Sequence, residues 1–240
     1  MRIATYCITF PEEYDIIMNM ANQAKKLGDV WIIDGGPAGH LCHHPKKGLD
    51  EWVLRGMADT HGLTYTRIPW PGNPGAQRNN ALEAMMPYGY DWIIQNDSDE
   101  LWPDQSVERI PEYLESLPHD VTNARVKILP LIGDEDHYCK RYAHYLTHSR
   151  IHRPGYVQWG ATWHEHMFYE GKRVDSGLWL LHTNWLFEDR LRRIKGHGLE
   201  GWSGLDHTPL PDDRFGLTWP ELRQPETSWS LTVSGYAETD

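Results

Sequence analysis

The sequence predicts an α/β fold: a mostly parallel, Rossmann-like sheet with helices on both faces, followed by an irregular Trp/Pro-rich C-terminal lobe. Two observations carry this. Apolar runs of strand length alternate with stretches of helical period in the order β-α-β-α-β-α-β up to Gln95, the pattern of a parallel sheet covered by helices. Thr9, Asp34 and Asp97 each fall where an apolar run ends, and ligands of such sheets sit at the carboxyl ends of the strands.

The elements follow in order. Residues 1–9 form a first strand. Thr9 with Glu12 three positions later has the spacing of a capping box, so a helix follows, with Ile16, Ile17, Met20, Ala21, Ala24 and Leu27 on one face and its end near Gly28. Residues 29–34 form the second strand, stopped by the turn-forming Asp34-Gly35-Gly36-Pro37-Ala38-Gly39. Residues 49–61 suit a helix with Trp52, Val53, Met57 and Ala58 inward. A third strand over 63–68 leads through a Pro- and Gly-rich loop into a helix over 76–86, with Ala81, Leu82 and Met85 inward and Pro87 as its stop. Trp92-Ile93-Ile94-Gln95 is the fourth strand. A helix from Asp104 to Leu117 is expected to break or restart at Pro111. Val121 to Leu131 reads as a strand, Gly133-Asp134-Glu135-Asp136 as an acidic loop, and 148–153, 157–159 and 179–182 as strands and loops. Residues 186–199 read as a basic helix with Arg190, Arg192, Arg193 and Lys195. The tail from Gly201 shows no period.

Composition narrows the function classes. The 240 residues suit one generous domain, or a domain with an appended lobe, and 40% apolar content is ample for a core. A net charge of −11 argues against unmodified nucleic acid or an anionic membrane as the main partner. Cys7, Cys42 and Cys139 are odd in number and far apart, so no disulfide framework is expected and a cytoplasmic location is. The first apolar run ends by Phe10, unlike a signal peptide, and no segment suits a membrane span. His40-Leu41-Cys42-His43-His44 lacks the spacing of a structural zinc site and reads as loop.

The chemistry centres on Gln95-Asn96-Asp97-Ser98-Asp99-Glu100. In an extended segment residues two apart point the same way, so Asp97 and Asp99 aim at one spot past the strand end. Two like charges there repel unless a cation lies between them. A hard divalent ion with open positions for phosphate oxygens, Mg²⁺ or Mn²⁺, suits that spot; the alternative is a solvated acidic loop.

Four stretches together resemble the family 2 glycosyltransferases with the A-type (GT-A) nucleotide-diphospho-sugar transferase fold, over about residues 1–198. They are Asp34-Gly35-Gly36, Gly75-Ala76-Gln77-Arg78-Asn79-Asn80-Ala81-Leu82, Asn96-Asp97-Ser98-Asp99-Glu100, and Trp163-His164-Glu165 followed by Leu181-His182. The first departs from the family's Asp-Asp-Gly-Ser. The resemblance implies residues 1–103 as a nucleotide-sugar-binding half, 104–198 as an acceptor and catalytic half, and 199–240 as an extension or lobe. It implies Thr9, Asp34, Arg78, Asn79, Asp97 and Asp99 at the nucleotide-sugar. It also implies Asp99 as direct metal ligand, Asp97 at the ribose or a metal-bound water, and His182 as a third protein ligand to Mn²⁺ or Mg²⁺. A partly buried, hydrogen-bonded His182 is the alternative.

Transfer to a hydroxyl acceptor needs a base. The resemblance points to Glu165, whose aromatic neighbours Trp159, Trp163 and Phe168 suit a raised pKa; a strand-face ion pair to Lys172 or Arg173 is its other reading. Glu100 is the second candidate, or a residue that holds the acceptor or its neighbours. Arg78 reaches either the diphosphate or Asp97, or lies on the helix surface. The tryptophans of the second half suit either core packing or the faces of acceptor sugars. The expected function is a metal-dependent, inverting transfer of a sugar from a nucleoside diphosphate sugar to a carbohydrate or other hydroxyl acceptor. The competing functions are a metal-dependent phosphohydrolase or nucleotidyltransferase, and a non-catalytic nucleotide-sugar binding module.

Overall fold

A computed structural model of the chain describes residues 1–9, 14–35, 51–140, 147–160, 167–185 and 208–218. The first half alternates as its apolar periods require: β1 (Ile3–Thr9), α1 (Tyr14–Ala24), β2 (Asp29–Asp34), α2 (Glu51–His61), β3 (Thr64–Arg67), α3 (Pro74–Met85) and β4 (Trp92–Gln95). β1 pairs in parallel with β2 and β4, and β2 with β3, giving the order β3-β2-β1-β4. The register aligns Thr9 with Asp34 and Asp34 with Arg67. The polar ends of the strands therefore form one rim.

Strand alternation sends successive side chains to opposite layers. From β1 and β2, Cys7, Val30 and Ile32 pack with Ile17, Met20 and Ala21 of α1 and Leu54, Met57 and Ala58 of α2. Their neighbours Ala4, Tyr6, Ile8, Trp31 and Ile33 pack with Ala81, Leu82 and Met85 of α3 on the other face. Helices thus cover both faces, and the expected inward residues of α1 and α3 are buried; Glu12 of the capping box and the side chain of Ile16 lie outside the described residues. α3 begins where Asn73 caps the backbone N–H of Ala76 at 2.7 Å and Pro74 occupies the first turn.

Beyond β4 the chain adds β5 (Glu100–Leu101), α4 (Asp104–Ser116), β6 (Val121–Ile132), β7 (Asp134–Tyr138), β8 (Thr147–His152), β9 (Val157–Trp159), β10 (Met167–Tyr169), β11 (Lys172–Trp185) and β12 (Thr208–Pro209). The main sheet runs β12-β7-β6-β8-β4-β1-β2-β3, with β11 parallel to β6 and antiparallel to β5. β8 joins β4 and β6 antiparallel to both, so the sheet is parallel in its first half and mixed in its second. β9 and β10 form a separate hairpin against α3. Its approach is close: a Cβ on Gly75 would lie 1.8 Å from the carbonyl oxygen of Gly160.

Four local expectations are corrected. α4 passes through Pro111 unbroken, because Val107, Ile110 and Leu114 bury one stripe against Trp92, Ile94 and Leu180, which offsets the hydrogen bond that proline removes. Trp52 is 62% exposed; the inward face of α2 is set by Leu54, Met57 and Ala58, and Trp52 lies outside that stripe. Residues 134–136 are strand rather than loop: Gly133, at φ 77°, turns the chain so that β7 pairs antiparallel with β6. The strand around 179–182 is the second part of the longer β11, whose pairing with β6 shifts register between Asp175 and Trp179 around Ser176-Gly177. The basic helix expected over 186–199 and most of the C-terminal lobe lie outside the described residues.

Candidate functional site

The site lies at the carboxyl ends of β1, β2 and β4, where Asp97-Ser98-Asp99-Glu100 turns the chain from β4 into β5. Several hydrogen bonds fix this turn. The Asp97 backbone N–H donates to Glu100 Oε2 at 3.0 Å, and the Glu100 N–H to the Asp97 carbonyl at 3.0 Å. The Asn96 amide donates to the carbonyls of Asp97 and Glu100 at 2.9 and 2.8 Å. The Asn96 N–H itself donates to the Tyr6 carbonyl at 3.0 Å, extending the β1–β4 ladder up to the turn.

Beneath the turn is a buried charge layer. Arg150 of β8 is 3% exposed and Glu100 is fully buried. The guanidinium donates to Glu100 Oε1 at 2.5 Å from Nη2 and to Oε2 at 3.0 Å from Nε, and to Gln95 Oε1 at 2.7 Å from Nη1. Arg150 Nη2 also lies 3.7 Å from Asp97 Oδ2. On the other side, Arg78 of α3 approaches Asp97 Oδ1 at 3.4 Å, and the Gln95 amide donates to the same oxygen at 2.7 Å. Arg78 also stacks over the Trp159 ring at 4.7 Å. Asp97 thus lies between two arginines, one of them paired with Glu100, so the layer holds two guanidinium groups against two carboxylates.

Asp99 is placed differently. β11 pairs with β5 so that His182 lies opposite Glu100, and the Thr183 N–H and hydroxyl donate to the Asp99 carbonyl at 2.7 and 2.9 Å. This register brings His182 Nε2 to 3.7 Å from Asp99 Oδ2, with side-chain exposures of 24% and 13%. The expected trio of ligands does not converge: among the described residues no group of three or more His, Cys, Asp or Glu side chains does. Asp99 and His182 face each other, while Asp97 faces the arginines.

The remaining expected residues fall as follows. Thr9 is buried and donates to the Ile33 carbonyl at 3.2 Å. Asp34, in register beside it, accepts from the Tyr65 hydroxyl at 2.7 Å; burial, then this hydrogen bond, pushes the Tyr65 pKa up. Both lie on the rim of strand ends. Asn79, expected at the nucleotide, spans the Trp159 backbone instead, donating to its carbonyl at 3.0 Å and accepting from its N–H at 2.8 Å. Arg78 is buried rather than on the helix surface, and its Nη2 lies 3.4 Å from Asp97 Oδ1. Glu100, the second candidate base, has both carboxylate oxygens engaged by Arg150. Glu165 lies outside the described residues.

Sequence reasoning missed Arg150, Gln95 and Tyr65. A signal for Arg150 existed: it shares a strand face with His152, two positions on, but β8 has no apolar alternation to mark that face as inward. For Arg78 the signal was plainer, since it lies on the same stripe as Ala81, Leu82 and Met85. A buried arginine there requires a buried acid.

No family model and no curated protein matches the chain. Among solved structures it is similar to S. aureus TarS residues 1–349, with 13% identity and a TM-score of 0.49, over 87% of this chain and 67% of that one. The same TarS segment in complex with UDP-GlcNAc gives 12% identity, a TM-score of 0.48, and 87% and 68% coverage. A further similar structure is glucosyl-3-phosphoglycerate synthase from Mycobacterium tuberculosis in complex with Mn²⁺, UDP and glucosyl-3-phosphoglycerate. It shows 16% identity and a TM-score of 0.36, over 54% of this chain and 44% of that one. The chain thus spans less than half of that synthase, and 41% of a longer TarS chain.

Proposed function

We propose that the chain is a glycosyltransferase that moves a sugar from a nucleoside diphosphate sugar to a hydroxyl acceptor with inversion, assisted by Mn²⁺ or Mg²⁺. The observation that carries this reading is the meeting of Asp99 and His182, distant in sequence, at the end of β4. One carboxylate and one imidazole, both partly open to solvent, fit a divalent ion that keeps most of its positions for water and phosphate oxygens. When bound, such an ion would neutralise the charge that develops on the diphosphate leaving group.

The chain's own residues have separable roles in this reading. Asp34, held by Tyr65, offers the nucleoside an oriented carboxylate. Arg150 and Arg78 hold Asp97 at the ribose side of the turn, so that the turn does not reorganise when the donor binds. Glu165 takes the proton of the acceptor hydroxyl as it attacks the anomeric carbon from the face opposite the leaving group, which inverts that centre. Arg192, Arg193 and Lys195 supply positive charge for the phosphates. Among the described residues no helix is long and apolar enough to cross a membrane.

A transfer assay with donor sugar and hydroxyl acceptors tests the role of the base. Glu165→Gln should lower the transfer rate by about 10²-fold or more while leaving metal-dependent nucleotide binding intact. Unchanged turnover in that variant would remove Glu165 from the reaction. Donor hydrolysis with no transfer to any acceptor would favour a phosphohydrolase.

A further inference from the structure

A cavity of about 170 Å³ opens between β8, β6, β11 and the β9–β10 hairpin, lined by Arg125, Arg173, Thr147, His148 and Ser149, with Trp159 and Met167 as its apolar wall. It is small beside a nucleotide and large enough for one compact polar group. In a protein of net charge −11, two arginines line one small cavity, one of them paired with Asp175, and the excess positive charge is a local reversal of sign, which concentrates anions.

The geometry of the two arginines is suited to a ligand. Asp175 accepts from Arg125 Nε at 2.6 Å and Nη2 at 2.8 Å, which fixes that guanidinium in the cavity wall. Arg173 stacks its guanidinium on the Tyr169 ring at 4.7 Å, which orients the planar fork while keeping its charge. Ser149 spends its hydroxyl proton on Asn123 Oδ1 at 2.8 Å, so Thr147, on the same face of β8 as Ser149, is the neutral hydroxyl donor that completes the set. Asp175 offsets one positive charge; Arg173 remains over it.

The cavity also adjoins the Asp97 turn. Its wall Trp159 carries Arg78 on the ring, and Arg78 contacts Asp97. Ser149 precedes Arg150, the residue that grips Glu100. An anionic group seated here would lie two side chains, Trp159 and Arg78, away from Asp97. We propose that this cavity is a subsite for an anionic group, a phosphate or a carboxylate, of the acceptor; the assignment to an acceptor rests on the transferase reading above.

Calorimetric titration of the full chain with a small phosphate monoester, and separately with a small hydroxy-carboxylate, tests this and distinguishes the two sources of charge. Each titration is made on the wild type, Arg173→Glu and Arg173→Lys, with binding of a nucleoside diphosphate sugar and Mn²⁺ measured in parallel. One of the two anions should bind the wild type, lose about tenfold or more in affinity in Arg173→Glu, and recover part of it in Arg173→Lys. Nucleotide binding should be unchanged in both variants. Absence of binding by either anion, or equal affinity in Arg173→Glu, would overturn the subsite and leave the transferase reading standing. Anion binding that depends on Arg173 in a protein that binds no nucleotide sugar would overturn the assignment to an acceptor while retaining the anion site.

Discussion

Arg150 and Glu100 pair in a part of the protein that water does not reach, with exposures of 3% and 0%. Taking two charges out of water is costly, and removing one partner leaves the other unpaired in a low-dielectric interior. Arg150→Met should therefore cost about 3–5 kcal/mol of unfolding free energy, read from urea denaturation, and Glu100→Leu should also be destabilising. The double variant Arg150→Met/Glu100→Leu should be more stable than the sum of the two single losses predicts. Strict additivity would show that the pair is not coupled as its hydrogen bonds imply. The carboxylates of the turn were legible in the sequence as a cluster at the end of an apolar strand. Their directions were not, because Ser98 and Asp99 form a turn rather than an extended segment, so Asp97 and Asp99 face different partners. Of their cations, Arg78 was among the expected partners of Asp97, whereas Arg150 was not, because it is fifty-three positions beyond Asp97 and only tertiary pairing joins them. His182 lies between these cases: the family resemblance pointed to it, and the β11–β5 register brings it to Asp99.

At the scale of elements, β8 carries a second buried basic side chain. His152 is fully buried, with Tyr6 edge-on at 6.4 Å, and desolvation pushes its pKa down to about 3. In the folded protein the imidazole stays neutral throughout the mildly acidic range, whereas in the unfolded chain it takes a proton near its ordinary pKa of about 6.5. The unfolded state then binds more protons between the two values, so stability is unaffected above about pH 6.5 and falls as pH drops toward 3. Between pH 7 and pH 5 this group alone accounts for about 2 kcal/mol of loss. His152→Phe should lose that much less over the same interval, measured by urea midpoints at each pH; parallel pH profiles would contradict the burial argument. Elements with a strong apolar period, β1, α1, β2, α3 and β4, were legible. α2 was read with its phase partly wrong, Trp52 being exposed and Leu54 buried, and β7 was missed because its acidic residues break the apolar alternation that marks a strand. α4 defeated a local rule, since tertiary packing overrode Pro111.

Over the whole molecule, the parallel half-sheet provides a rim of polar strand ends, and the mixed half folds β8 and β11 back against it. The first contributes Thr9, Asp34 and the Asp97 turn; the second contributes Arg150 and His182. The site is thus completed by long-range pairing, which is why its first half could be read from spacing and its second half only from the fold. The central claim is that Asp99 holds a divalent ion that in turn holds a nucleoside diphosphate sugar. The direct measurement is thermal unfolding of the wild type and Asp99→Asn with UDP-, GDP-, CMP- and dTDP-sugars, each with and without Mn²⁺. A ligand that binds only the folded state at roughly 100 times its Kd should raise Tm by about 5–10 °C for a chain of this size. The account predicts such a rise for one nucleotide, only when Mn²⁺ is present, and its loss in Asp99→Asn with the ligand-free Tm nearly unchanged. An equal rise in Asp99→Asn, or none in the wild type with any nucleotide while Mn²⁺ alone stabilises, would contradict it.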